Sequence, residues 1–261
     1  MGALGNGLKK LAYEYDLLSG NVKKVHYQPN MADAMHHRYE YDADNRLAEV
    51  YTSTDNTNWE RDADYEYYDH GPVARKEIGE LKIQGLDYVY NLQGWLKSMN
   101  SNTVNTTRDP GKDGETGTGY LANQPHVHAR FAQDVFGFSL GYYKDDYKAI
   151  VPSTDNFIAS NAGFAGDRDL YLKDLYNGNI SQMVTALKDQ NGDMLDIHAK
   201  NYQYDQLNRL KSQTVYTAND VVSNNNWDNA ASNGDYNTQY TYDLNGNIMN
   251  LERNGYTPNQ A

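Results

Sequence analysis

Gly137-Phe138-Ser139-Leu140-Gly141 has the G-x-S-x-G form of a hydrolase nucleophile elbow. That chemistry needs a strand, a strained turn and a helix around the serine, with an acid and a histidine further along the chain. Tyr142-Tyr143-Lys144-Asp145-Asp146-Tyr147 follows instead, a poor helix opening, and His198 beyond it lies inside repeated sequence. The competing reading is a strand flanked by glycines. Ser139 is the one nucleophile candidate, and an unreactive Ser139 is expected.

Other residues carry weaker chemistry. His126-x-His128 would set two imidazoles on one face of a strand and could start a zinc or copper site. Pro125 beside them suggests a loop or an edge. His36-His37, if extended, points to opposite faces. Asp243-x-Asn245-x-Asn247 resembles the first half of an EF-hand loop. Its glycine falls too early, however, and no glutamate closes the loop. A hairpin turn explains the same residues and also explains why they recur. The acidic run Asp109 to Glu115 reads as a solvated loop. Trp59, Trp95 and Trp227, among many Asn and Asp, could stack on sugar rings. No catalytic, cofactor-binding or metal-ligating residue is assigned, no cofactor is expected, and the chain is read as a non-enzyme.

The elements that must position these residues are set by a repeat. Tyr-x-Tyr-Asp recurs at Tyr13 to Asp16, Tyr39 to Asp42, Tyr202 to Asp205 and Tyr240 to Asp243. Weaker copies are YEYYDHGPV from Tyr65 and YVYNLQGWL from Tyr88. A recurring unit of this kind marks an array of one supersecondary element. Alternation places Tyr13 with Tyr15, Tyr39 with Tyr41, Tyr202 with Tyr204 and Tyr240 with Tyr242 on shared faces of strands. Each copy then runs into a turn. Asp offers a carboxylate to the turn amides, and Asn245-Gly246 offers positive φ angles. Asn45 and Asn208 stand where Gly246 does, and Asn best tolerates that conformation. Stacked hairpins would line the Tyr pairs up as ladders.

Composition narrows the function further. The 261 residues carry 23 Lys and Arg against 35 Asp and Glu, a net charge of −12. That balance argues against a nucleic-acid partner, which would call for a basic stripe. There is no run of about 18 apolar residues, so no membrane-spanning helix is expected. The absence of Cys removes disulfides, thiolate zinc sites and cysteine nucleophiles. Tyr dominates the aromatics, 24 against 5 Phe and 3 Trp, which suits surfaces half packed and half wet.

The pattern Y-x-Y-D-x-x-G/N-R/N-L/I resembles the YD repeats of the Rhs family, shared with teneurins and the C component of Tc toxin complexes. The match runs over roughly Leu11 to Asn100 and Tyr171 to Arg253. Asp134 to Tyr147 followed by Leu175 to Met183 resembles an interruption found in Rhs-type proteins of Bacteroidetes. The resemblance implies β-sheet ribbons that spiral into a hollow shell, which in bacterial members encloses a C-terminal toxin freed by self-cleavage. This chain is too short to close such a shell. It carries Asp109-Pro110-Gly111 only in mid-chain, where the cleavage motif D-P-x-G would otherwise lie near the repeat end. No toxin module follows Arg253.

The expected fold is therefore all-β: stacked antiparallel β-hairpins of YD repeats forming a curled, unclosed section of a β-shell. A repeat array is expected over 1–100. An insertion with a flexible Gly/Asn/Asp-rich loop and short strands spans 101–170, the array resumes over 171–256, and 257–261 is a tail. Only Ala162 to Leu175 leaves room for a helix. The expected role is a structural segment of a shell that encapsulates or delivers a toxin or effector carried elsewhere on a longer protein. Its partners would be the remainder of that shell and the encapsulated C-terminal effector, and its location secreted or cell-surface. The alternative is a surface carbohydrate-binding β-repeat module, with glycans as partners.

Overall fold

The computed structural model describes residues 8–115, 127–148, 173–195, 197–217, 227 and 230–256. The chain divides into two compact units, Met1–Leu86 and Asp87–Ala261. The first unit holds β1 (Leu11–Tyr15), β2 (Val22–Tyr27), β3 (Met35–Tyr41), β4 (Leu47–Ser53), β5 (Glu60–Tyr67) and β6 (Val73–Ile78). The second opens within β7 (Gln84–Tyr90) and continues with β8 (Leu96–Met99), β9 (Phe136–Gly141) and β10 (Gln182–Leu187). It ends with β11 (His198–Tyr204), β12 (Leu210–Thr217), β13 (Thr238–Tyr242) and β14 (Ile248–Arg253). One short 3-10 turn, Thr106–Arg108, is the only helical element among the described residues.

The all-β expectation holds. Within each unit the strands pair antiparallel with their chain neighbours. β1 has β2 as its partner, and β14 has β13. Among the described residues, each unit therefore presents an open edge. The stretch Ala162 to Leu175, where a helix had room to form, falls almost wholly outside the described residues.

One register fault recurs in every copy of the repeat. The ladder shifts just before the second tyrosine: at Glu14/Tyr15, Glu40/Tyr41, Glu66/Tyr67, Val89/Tyr90, Gln203/Tyr204 and Thr241/Tyr242. The cause is the turn that follows. In the last copy the Gly246 amide donates to Asp243 O and the Asp243 amide to Asn247 O. Gly246 takes φ 89°, while Asn245 is absent from the positive-φ residues. This is a type I turn closed by a left-handed residue, the bulged hairpin loop, and not the tight two-residue turn that Asn-Gly suggested. Asn45 (φ 61°) and Asn208 (φ 60°) occupy the same left-handed position, as expected from sequence.

The two units are held differently. In the second, Val104, Val184, Ala186, Ile197, Ala199 and Trp227 form a buried cluster backed by Met194, Tyr216 and Ala230. In the first, Ala63 is the only buried apolar side chain among the described residues, and the other buried side chains are polar: His26, Gln28, His36, Ser53, Arg75 and Glu77. An array of hairpins gains little from one central core and relies on contacts between neighbouring repeats. The first unit shows what those contacts are.

Candidate functional site

The repeat itself builds a joint between successive copies. Tyr41 donates its hydroxyl proton to Val22 O (2.9 Å), Tyr67 to Leu47 O (2.7 Å), Tyr204 to Ile180 O (2.9 Å) and Tyr242 to Leu210 O (2.7 Å). Each acceptor lies just after the preceding turn. The second tyrosine thus stitches its own copy to the hairpin before it. Where that turn carries Arg, a second contact is added. The Arg46 guanidinium sits 4.5 Å from the Tyr67 ring centre and the Arg209 guanidinium 4.6 Å from that of Tyr242.

The repeat Asp holds this arginine and the turn together. Asp205 Oδ1 accepts the Leu207 and Arg209 amides, and its Oδ2 accepts Arg209 Nε at 2.6 Å. Asp42 does the same with the Asp44 and Arg46 amides and with Arg46 Nε. Asp243 takes the Asn245 and Asn247 amides and the Asn247 side chain. The Arg209 amide, then its guanidinium, hold the Asp205 carboxyl below the usual range, and the Asn247 side chain and amide do so for Asp243. These oxygens are committed to amides, as the hairpin reading of the EF-hand-like segment requires. Asp189 makes the same turn before β11, with its Oδ1 accepting the Asn191 and Asp193 amides. The sequence pattern hides this copy because no Tyr-x-Tyr precedes it.

Stacking within a copy is present, with Tyr13 and Tyr15 centroids 6.2 Å apart and Tyr240 and Tyr242 6.5 Å apart. Between copies, Tyr41, Tyr67, Tyr204 and Tyr242 act through hydroxyl-to-carbonyl bonds, with arginine on the rings of Tyr67 and Tyr242.

Ser139 lies within β9 with 1% of its surface exposed, and its Oγ accepts a hydrogen bond from Asn102 Nδ2 at 2.8 Å. Its strand pairs regularly with β10, Ser139 opposite Val184, so there is no elbow. His198 is elsewhere, opposite Thr217 and Thr185, with its ring 5.8 Å from that of Tyr236. Gly137 has a packing reason: a Cβ there would come within 2.0 Å of Ser101 O. The G-x-S-x-G form reflects close backbone approach and not a nucleophile.

That approach also changes the reading of the insertion. Asn100, Ser101, Asn102 and Thr103 are fully buried and Val104 nearly so, where a flexible, Gly/Asn-rich excursion was expected. Hydrogen bonds replace apolar packing: Asn100 Nδ2 donates to Asp134 Oδ1 (2.8 Å) and Phe136 O (3.1 Å), and its Oδ1 accepts the Asp87 amide (2.8 Å).

Around Asn100 lies an acidic centre that sequence did not reveal. Asp109 and Asp113, read as part of a solvated loop, are 2% and 1% exposed, with Asp87 (6%) and Asp134 (4%) beside them. Oxygens of Asp87, Asp109 and Asp113 lie within 4.8 Å of one another, the spacing at which carboxylates share a proton or a hard cation. The Asp113 amide donates to Asp109 Oδ2 at 3.1 Å. Burial first, then Asp109, Asp113 and Asp87, push the Asp134 carboxyl up to about 9, which favours its protonated form. Lys97 and Asp146 form a separate buried ion pair at 2.7 Å.

The remaining candidates are dispersed. His126 lies outside the described residues, and His128 meets Phe131 edge-on at 5.5 Å. His36 and His37 do point apart: His36 is buried against His26, whereas His37 stacks on Tyr39 at 6.4 Å. Of the three tryptophans offered to sugars, Trp227 is fully buried in the core, which removes it. Trp95 packs against Tyr142 at 4.9 Å, and Trp59 lies under the Arg38 guanidinium at 5.0 Å.

No family model matches the chain, and no curated protein matches it. Among solved structures it is similar to a crystal structure of TcdB2-TccC3-TEV, with 11% identity and a TM-score of 0.35 over 94% of this chain and 11% of that one. It is also similar to TcdB2-TccC3 without the hypervariable C-terminal region, with 10% identity and a TM-score of 0.35 over 96% of this chain and 12% of that one.

Proposed function

We propose that this chain is a section of an Rhs-type YD-repeat shell, without catalysis of its own, that encloses or delivers an effector carried elsewhere on a longer polypeptide. The observation that carries the reading is the repeated joint: one bulge, one capped turn and one tyrosine hydroxyl tying each copy to the copy before it. Such a joint extends an array without limit and builds a wall. Open edges support the same reading. β14 is exposed along its whole length, with Ile248, Met249 and Leu251 each more than half exposed, and β1 exposes Leu11, Tyr13 and Tyr15. Unpaired strand edges with apolar side chains are templates for further strands. In this role the partners are further repeats of the same shell and the enclosed effector, and the location is secreted or cell-surface as part of that longer protein.

Limited proteolysis of the full-length polypeptide tests the proposal. The effector should resist digestion until the repeats are cut. An effector digested at the rate of the free module sinks it.

A further inference from the structure

Within the first unit, β2 and β3 place His26 directly opposite His36 in the ladder, and the two Nδ1 atoms face each other at 2.7 Å. The rings meet edge-on with centroids 4.8 Å apart. On the far side of His26, Nε2 lies 3.0 Å from Glu14 Oε1 on β1. A carboxylate only accepts, so Nε2 of His26 carries the hydrogen and, in the neutral ring, its Nδ1 presents a lone pair. The His36 Nδ1 then supplies the single proton held between the rings.

We infer that His26 and His36 form a binding site for a borderline divalent cation such as Zn2+, with Glu14 as the positioning residue behind His26. The cation takes the place of the shared proton, which moves to His36 Nε2: two Nδ1–metal bonds form, the Nδ1–H bond of His36 breaks, and both rings stay neutral. Zinc–imidazole bonds of about 2.0–2.1 Å at a tetrahedral angle set the two nitrogens roughly 3.4 Å apart, so binding opens the pair from its 2.7 Å contact. Carboxylate–histidine–metal chains are the usual way a ligand histidine is fixed in orientation and tautomer.

The surroundings fit a cation. Both histidines line a cleft of about 440 Å³ with Ala12, Pro29, Met31 and Thr54, which admits the water needed to complete coordination. Glu14 and Asp55 bring negative charge toward the pair, against Lys24 and His37. Asp55 acts by its field, since its oxygens already accept the Thr57 and Asn58 amides and the Asn58 side chain. Because β2 belongs to the first copy and β3 to the second, the cation would staple two successive repeats. The inference stands on these three strands and does not depend on the shell proposal.

Titrating the intact chain with ZnCl2 while recording imidazole 15N resonances decides the matter. One equivalent should shift the Nδ1 signals of His26 and His36 and leave those of His37, His70 and His198 in place. In calorimetry, His36→Asn should abolish this binding, His37→Asn should retain it, and Glu14→Gln should weaken it about tenfold or more. If the wild-type His26 and His36 signals stay put, or zinc moves His126 and His128 instead, the inference is wrong. The wild-type spectrum gives this answer even where a variant fails to fold.

Discussion

The Arg209 guanidinium lies 4.6 Å from the centre of the Tyr242 ring while the Tyr242 hydroxyl donates to Leu210 O at 2.7 Å. One arginine and one tyrosine from successive copies thus hold two hairpins together through a ring face and a hydroxyl at once. Tyr242→Phe should keep the ring contact and lose the hydrogen bond, lowering stability by about 1 kcal/mol in urea denaturation. Tyr67→Phe should behave alike through Leu47. Unchanged midpoints would show that the hydroxyls contribute nothing.

Arg209→Lys should also destabilise, because an ammonium cannot reproduce the planar contact with Asp205 and Tyr242 together. The comparison is with Lys211→Arg in β12, the strand that follows, which should be close to neutral. Equal effects in thermal melts would count against the joint.

Acid should loosen the turns. Asp205 and Asp243 have folded pKa values below the ordinary 3.8. Their contribution is therefore fully present above about pH 4 and is lost as pH falls through the folded values. Circular dichroism from pH 5 to pH 2 should show falling thermal stability, and Asp205→Asn should blunt that fall.

Asp134 has the opposite sign. Its folded pKa, about 9, exceeds the ordinary 3.8, so the folded chain keeps a proton that the unfolded chain gives up. The stabilisation from that proton is full below about pH 4 and declines as pH rises toward 9. Asp134→Asn supplies a neutral group that can still accept from Asn100 and donate to Asp109. It should raise stability at pH 8 by roughly 1 kcal/mol or more and matter little at pH 4. A variant less stable than wild type at pH 8 would contradict a protonated Asp134.

Ser139 should resist a serine-reactive fluorophosphonate in the folded chain, because its hydroxyl is buried and engaged by Asn102. Ser139→Ala should instead cost about 1–3 kcal/mol by removing the oxygen that accepts from Asn102 Nδ2. Trp227→Ala should cost about 3–5 kcal/mol by emptying the core of the second unit. Stoichiometric labelling of Ser139 would revive the hydrolase reading.

What depends on neighbours along the chain could be read from the residues alone. Alternating Tyr-x-Tyr demands a strand, Asp caps the amides that follow it, and Gly246, Asn45 and Asn208 accept the left-handed position. These follow from backbone sterics and short-range hydrogen bonds, so the all-β array of hairpins was legible. The rest required the folded chain. The hydroxyl of Tyr67 finds Leu47 O, and His26 meets His36, only once neighbouring strands are paired in register. Asp87, Asp109, Asp113 and Asp134 converge from separate segments, and nothing local distinguishes their carboxylates from solvated ones. Trp227 reads as a surface ring among asparagines until the fold closes Val184 and Ile197 over it. Burial and cross-strand pairing are properties of contacts between distant segments, and only folding brings those segments together.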